Sequence, residues 1–183
     1  MEDNECIKEL IIGSRAALQI LYKRHSDRIF NTIIGFVKNK EDAEEVLQDV
    51  FVAVFKDAKK FQFNSAVSTW MYRIAVNKSL DFIRKGKAQK RFGIFTNIYR
   101  KGEDEPRAEL VEIIHPGIQQ EQKEEAILLF RHIDLLSENQ KVAFVLTQIE
   151  GYPQKEVAEI MNLSRKSIES LVKRAKDNLK ESL

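Results

Sequence analysis

An all-α fold is predicted by three features of the 183-residue chain. It holds only seven glycines and three prolines. Its apolar residues recur at three- and four-residue spacing almost throughout, and cap-forming residues stand just ahead of several apolar runs. The first long helix is expected from Ser14, a suitable N-cap, with Leu18, Leu21, Tyr22, His25, Ile29, Ile33 and Phe36 on one stripe, ending near Asn39. Asn39 with Asp42 three residues on caps a second helix, whose buried face is Ala43, Val46, Leu47, Val50, Phe51 and Val54. These two helices should pack antiparallel.

A third helix, from Ala66 to Lys85, is apolar around most of its circumference through Met71, Tyr72, Ile74, Ala75, Val76, Leu80, Phe82 and Ile83. One wet stripe remains, formed by Arg73, Asn77, Asp81, Arg84 and Lys85 at helical spacing. From Gly86 to Gln120 the periodicity fails, and a basic aromatic stretch (Lys90 to Lys101) precedes an acidic one (Glu103 to Glu112). The chain therefore reads as two small helical domains, 1–88 and 121–183, joined by a flexible linker over 89–120. In the second domain Ile127, Phe130 and Ile133 mark one helix. Ser137 with Gln140 forms a capping box for the next, whose stripe Val142, Phe144, Val145 and Ile149 stops at Gly151.

The last segment, Tyr152 to Lys180, has the signature of a helix-turn-helix. Pro153 suits a first helical position, and Val157, Ala158 and Ile160 mark a short helix. Asn162 supplies a left-handed turn residue and Ser164 a cap. Ile168, Leu171, Val172, Ala175 and Leu179 then bury a second helix, with Ala158 small where the two cross. A solvated basic face on an ordinary helical hairpin is the competing reading; the turn residues and Ala158 weigh against it. Residues near the start of such a recognition helix, Arg165, Lys166, Ser167 and Ser170, are placed to reach base edges, and Lys173, Arg174 and Lys176 to hold phosphates.

The N-terminal half carries two faces of opposite sign. On the second helix Glu41, Glu45, Gln48 and Asp49 point away from the apolar stripe, with Asp42 and Glu44 at its flank and no basic residue to offset them. Such a face is commonly mere solvation, and the specific alternative is docking of a basic partner. Farther on, Lys59, Lys60, Arg73, Lys78, Arg84, Lys85, Lys87, Lys90 and Arg91 are opposed only by Asp81, with Phe55, Phe61, Phe63, Trp70 and Tyr72 interleaved. Cations beside aromatics and an amide such as Asn64 or Asn77 are what single-stranded nucleic acid requires. Trp70 and Phe55 read as core, whereas Phe61 and Phe63, in a polar loop, stay open.

Bulk charge is uninformative, because 30 Lys+Arg stand against 28 Asp+Glu. Cys6 is the single cysteine, so no internal disulfide or multi-cysteine zinc site can form. His25, His115 and His132 are scattered without metal-ligand spacing, and no glycine-rich phosphate loop occurs, so neither an active site nor any cofactor or metal is expected. His25 on the apolar stripe reads as a packed histidine rather than a base. The acidic N-terminus is unlike a signal peptide, and no apolar run nears the roughly 20 residues of a bilayer span. The expectation is a cytoplasmic protein without membrane insertion.

The blocks DAEEVLQDVF (Asp42 to Phe51) and FQFNSAVSTWMYRIAVNKSLDFIRK (Phe61 to Lys85), followed by the helix-turn-helix, resemble in order and spacing regions two and four of an extracytoplasmic-function (group IV) sigma factor of the sigma-70 family. The resemblance implies an alternative sigma factor that binds bacterial core RNA polymerase at its clamp and flap and directs promoter recognition, melting and transcription initiation. It implies that Asp42, Glu44, Glu45, Gln48 and Asp49 dock on the clamp coiled coil of the largest subunit. The loop Phe61 to Thr69 would capture a base flipped from the melted minus-ten element. Lys59, Lys60, Phe61, Asn64, Ser65, Arg73, Asn77, Lys78, Arg84 and Lys85 form the minus-ten set, meeting promoter DNA as duplex and as melted single strand. Ser164, Arg165, Lys166, Ser167, Ser170, Lys173, Arg174 and Lys176 form the minus-35 set, and the linker would thread through polymerase. Compact members of the family are often held inactive by an anti-sigma factor. This chain departs from the pattern where Phe63 replaces a common Gly, Val67 a common aromatic, and Glu169 a residue that is often basic. The alternative from another class is a stand-alone helix-turn-helix repressor or activator with an N-terminal effector domain.

Overall fold

The computed structural model describes residues 1–92 and 120–182, and among these no strand occurs. In chain order the helices are α1 (Asp3–Ile11), α2 (Arg15–Val37), α3 (Lys40–Asp57), a single 3-10 turn at Ala58–Lys60, α4 (Val67–Phe92), α5 (Gln120–Leu135), α6 (Glu138–Phe144), α7 (Gln154–Met161) and α8 (Arg165–Ser182). The all-α expectation holds. Most of the expected linker, 93–119, lies outside the described residues.

Three predicted starts are realised by side-chain caps. Ser14 Oγ accepts from the Ala17 amide at 3.4 Å, and Asn39 Oδ1 from the Asp42 amide at 2.7 Å. Ser137 and Gln140 close a reciprocal capping box. Each cap satisfies amides that the first helical turn leaves unpaired. Every residue predicted for the buried face of α3 is buried. α2, α3 and α4 pack on one another into an N-terminal bundle, and α5 to α8 form a C-terminal unit continuous with the same apolar core. Leu21, Ile33, Met71, Leu146 and Ile168 are wholly buried within it, and each stabilises the fold by about 1.5–3 kcal/mol relative to an exposed side chain.

Four features differ from the sequence reading. Helix α1 is not among the predicted elements, and it packs on α2. It is held there by Asp3, which pairs with Arg24 and accepts from His25 Nε2 at 2.8 Å. His25 is thus a packed histidine, and its partner is a residue 22 positions away. Helix α4 runs past Gly86 to Phe92, because one glycine weakens a helix by only about 1 kcal/mol. The stripe after α6 continues as a π-helical turn, Val145–Ile149, before Gly151 reverses the chain at φ 72°. Pro153 stands at the N-cap of α7, one position earlier than expected.

Along the seam where the two units meet, polar contacts rim the shared apolar core. At the C-cap of α2, Lys38 takes the left-handed conformation at φ 71° and pairs with Asp134 of α5, whose other oxygen accepts from Lys141 Nζ at 2.7 Å. The Tyr72 and Tyr152 rings lie 5.1 Å apart, nearly edge to face, and the Arg28 guanidinium sits 5.4 Å above the Tyr152 ring. Burial pushes both phenols above their ordinary range. Neither hydroxyl has a hydrogen-bond partner among the described residues. Burial likewise raises the Glu150 carboxyl, against the opposing pull of Arg28.

Candidate nucleic-acid interface

The predicted polar stripe of α4 forms, but two of its cations are engaged across the seam. Arg73 donates from Nη2 to the Glu159 carbonyl at 2.6 Å and from Nε to the Ile160 carbonyl at 3.2 Å. These carbonyls belong to the last turn of α7, where unpaired acceptors and the helix dipole attract a cation. Arg84 grips both Glu138 oxygens, at 3.0 and 2.6 Å, and also Asp81 at 3.1 Å; these hydrogen bonds to Glu138 raise its already high proton affinity. Asn77 and Lys85 are exposed, and Lys78 is half-buried.

Ahead of α4, the 3-10 turn carries exposed Lys59 and Lys60, the latter paired with Asp57 at 2.6 Å. The Phe61 ring is 7% exposed and lies 5.0 Å from Trp70 and 4.9 Å from Phe63. Sequence reasoning left Phe61 and Phe63 undivided, and the fold separates them: Phe61 closes the core while Phe63 stays 40% exposed. Asn64 is exposed and Ser65 half-buried. A cleft of about 800 Å³ is lined by Lys60, Phe61, Asn64, Ser65, Trp70 and Arg73 from this side, and by Lys155, Asn162 and Arg165 from the C-terminal unit. Lys155 is a cation that the sequence reading did not select; its position on the exposed face of the short α7 was the available signal.

The helix-turn-helix forms as expected. Asn162 adopts φ 53°, ψ 45°, and the Leu163 amide closes on the Ala158 carbonyl at 2.9 Å. Ser164 Oγ accepts from the Ser167 amide at 3.1 Å and shares a 2.8 Å hydrogen bond with Ser167 Oγ, so both hydroxyls serve the cap. Arg165, Lys166, Lys173, Arg174 and Lys176 are exposed, while Ser167 and Ser170 are half-buried. Glu169 lies 3.3 Å from Arg165 Nε, so the acid that departs from the expected pattern steers the first basic side chain of α8.

On α3, Glu44, Glu45, Gln48 and Asp49 are exposed and Asp42 is half-buried at the cap. Glu44 and Gln48 rim a groove of about 530 Å³ between α2 and α3, which also contains Tyr22, Phe30, Lys40 and Leu47. On the other side, Glu45 and Asp49 share a groove with Lys78 and Lys85 of α4. The acidic face is therefore not as free of neighbouring cations as the linear sequence implied. Among the described residues no group of three or more His, Cys, Asp or Glu side chains could hold a metal, and no helix is long and apolar enough to cross a membrane.

Comparison with known proteins falls on these same surfaces. The family model described as Sigma-70 region 2 matches residues 21–89, and that described as Sigma-70, region 4 matches residues 126–179. The ECF RNA polymerase sigma factor SigM of Mycobacterium tuberculosis is 27% identical over 177 residues, covering 97% of this chain and 82% of that protein. The ECF RNA polymerase sigma-E factor of Escherichia coli is 24% identical over 181 residues, covering 97% and 92%. The chain belongs to the sigma-70 family, in its extracytoplasmic-function group.

The two matched blocks follow one another along the chain, the first spanning most of α2 to α4 and the second α6 to α8. The fold agrees with that of CnrH in complex with the cytosolic domain of CnrY, at TM-score 0.67 and 23% identity over 98% of this chain and 95% of that one. It also agrees with the sigma factor RpoE in complex with the anti-sigma factor NepR from Bartonella quintana, at TM-score 0.60 and 18% identity over 89% and 94%. The chain is an alternative sigma factor, and the stand-alone repressor reading leaves the region 2 match unexplained.

Proposed function

We propose that this sigma factor docks on core RNA polymerase through the acidic face of α3, captures the melted minus-ten strand with the 61–69 loop and α4, and reads the minus-35 duplex with α8. The observation that carries the reading is the opposition of charge within one bundle: Glu44 and Gln48 rim the groove between α2 and α3, whereas Lys60 and Arg73 line the cleft ahead of and along α4. A polyanion is attracted to one face and repelled by the other, so the bundle can hold DNA and a basic protein surface at once. The groove beside Glu44, with an apolar floor and a charged rim, suits a partner helix. Sigma-factor names among the relatives support polymerase as that partner, and the two structural neighbours, each bound to a second protein, support an anti-sigma partner. Such a protein works in the cytoplasm and supplies binding energy rather than catalysis: unstacking costs about a few kcal/mol per step, which contacts to the flipped base offset.

The reading requires the two units to part. Arg73 and Arg165 line one cleft, whereas elements named minus-ten and minus-35 lie about 25 base pairs apart, roughly 85 Å of duplex at about 3.4 Å per pair. Residues 93–119, fully extended, reach at most roughly 90 Å. In the arrangement seen here Arg73 is occupied by α7, so promoter engagement must replace its two carbonyl acceptors with phosphate.

The test is titration of labelled full-length chain onto core polymerase lacking any specificity factor, followed by mapping of transcript starts. Tight association and discrete starts are expected, and the Glu45→Lys/Asp49→Lys double variant should lose at least tenfold in core affinity with its helical content unchanged. Unaltered affinity in that variant would refute the docking face.

A further inference from the structure

We infer that Phe63 is a stacking platform for an unpaired base of single-stranded DNA, a specificity-determining position distinct from the cleft beside it; the inference rests on the minus-ten reading above. Three observations converge on this residue. First, its backbone is left-handed at φ 58°, shared among non-glycine residues only with Lys38 and Asn162 in the described chain. Lys38 and Asn162 each end a helix there, the usual use of that conformation, but Phe63 ends none. A bulky aromatic in this region is strained, and strain of this kind persists where the surroundings enforce it and concentrates at functional sites. Glycine would adopt the same φ without cost.

Second, folding leaves a large part of the ring in solvent. Phe63 is 40% exposed, at the end of a series of rings in which Trp70 backs Phe61 and Phe61 backs Phe63. A partly exposed ring braced by a tilted neighbour offers surface that another π-system can cover with little loss of side-chain freedom. Third, its neighbours in sequence, Gln62 and Asn64, line the cleft that holds Lys60 and Arg73, but Phe63 does not. When the units part, the N-terminal wall of that cleft remains, and a strand whose flipped base lies against it would carry its next base past the loop's outer edge, where Phe63 lies, with Lys60 and Arg73 freed for the intervening phosphate. Stacking is tolerant of base identity, so Phe63 would favour an unpaired base over a paired one and favour larger ring systems, without reading hydrogen-bonding edges.

The experiment uses the full chain with core polymerase and a single-stranded oligonucleotide carrying the non-template minus-ten sequence of a promoter located by transcript mapping. Phe63→Gly, Phe63→Ala and Phe63→Trp are compared for oligonucleotide affinity, for core affinity and for the thermal midpoint of the free chain. Phe63→Gly should have a higher thermal midpoint than Phe63→Ala, because only glycine takes the left-handed backbone freely, keep core affinity, and lose about tenfold to a hundredfold in oligonucleotide affinity, the range for removing one base-aromatic stack. Phe63→Trp should retain binding, and replacing one base next to the flipped position with an abasic residue should erase the difference between wild type and Phe63→Gly. Equal binding by Phe63→Gly and wild type would overturn the platform while leaving the minus-ten reading standing. Failure of the wild-type complex to bind the strand at all would overturn both. A loss of core affinity in Phe63→Gly with strand binding intact would assign the ring to a protein contact instead, which also overturns the proposal.

Discussion

The basic stripe of α4 and the basic face of α8 have similar composition and opposite circumstances. On α4, Arg73 is hydrogen-bonded to the end of α7 and Arg84 to Glu138 at the start of α6. On α8, Lys166, Lys173, Arg174 and Lys176 are exposed, and among the described residues Arg165 is the one of these cations with a partner, one turn away on its own helix. The difference teaches that a count of cations does not measure readiness to bind: the C-terminal face is available as it stands, and the N-terminal one becomes available when the seam opens.

Substitution of Arg73 gives the largest expected effect and the most direct way to break this contrast. Hydrogen bonds to a charged group are worth about 1.5–3 kcal/mol, and Arg73 makes two of them across the seam. Arg73→Ala should loosen the closed arrangement, seen as faster amide exchange in α7, and yet reduce promoter opening by the polymerase complex tenfold or more. Faster exchange with normal opening would make Arg73 a seam residue only. Smaller and sharper is the comparison within α8. Arg165→Ala should change preference at one minus-35 base pair by about 1–3 kcal/mol, whereas Lys173→Ala should weaken all sequences alike and lower the salt slope by about one. Competition binding with single-base variants distinguishes the two; a selectivity change from Lys173→Ala would reverse their roles.

The smallest effect concerns the seam itself. Burial raises the Glu150 carboxyl, so its ionised form is disfavoured in the folded chain. That penalty is present at neutral pH and disappears as pH falls below the ordinary value of 4.5, where folded and unfolded chains are both protonated. Glu150→Gln should therefore raise the thermal midpoint at pH 7 by an amount that shrinks toward zero on acidification. A gain that grew with acidity would contradict the sign.

How much of this was legible in the sequence depends on range. Ser14, Asn39, Ser137 and Asn162 announced their helix ends because capping and turn chemistry act within a few residues, and the apolar stripes of α3 and α8 were readable for the same reason. Helix α1 was not, since a helix of nine residues is marginal in isolation and depends on burying Cys6, Ile7 and Leu10 in the shared core and on Asp3 meeting Arg24 and His25 of α2. The seam was invisible for a stronger reason: Arg73 and Ile160 are 87 residues apart, and no local pattern records their meeting. Phe61 and Phe63 show a third case, in which two identical side chains two residues apart are divided into core and surface by the left-handed backbone at the second.

Separation of the units is measured most directly by energy transfer between dyes on Gln19→Cys and Lys180→Cys. Both positions are exposed, and the native Cys6 is buried and should escape labelling. A short distance in the free chain, lengthening by tens of ångströms when core polymerase and promoter are added, is the predicted result. A distance that stayed short while the same complex produced correctly started transcripts would contradict the assignment of α4 and α8 to two separate promoter elements.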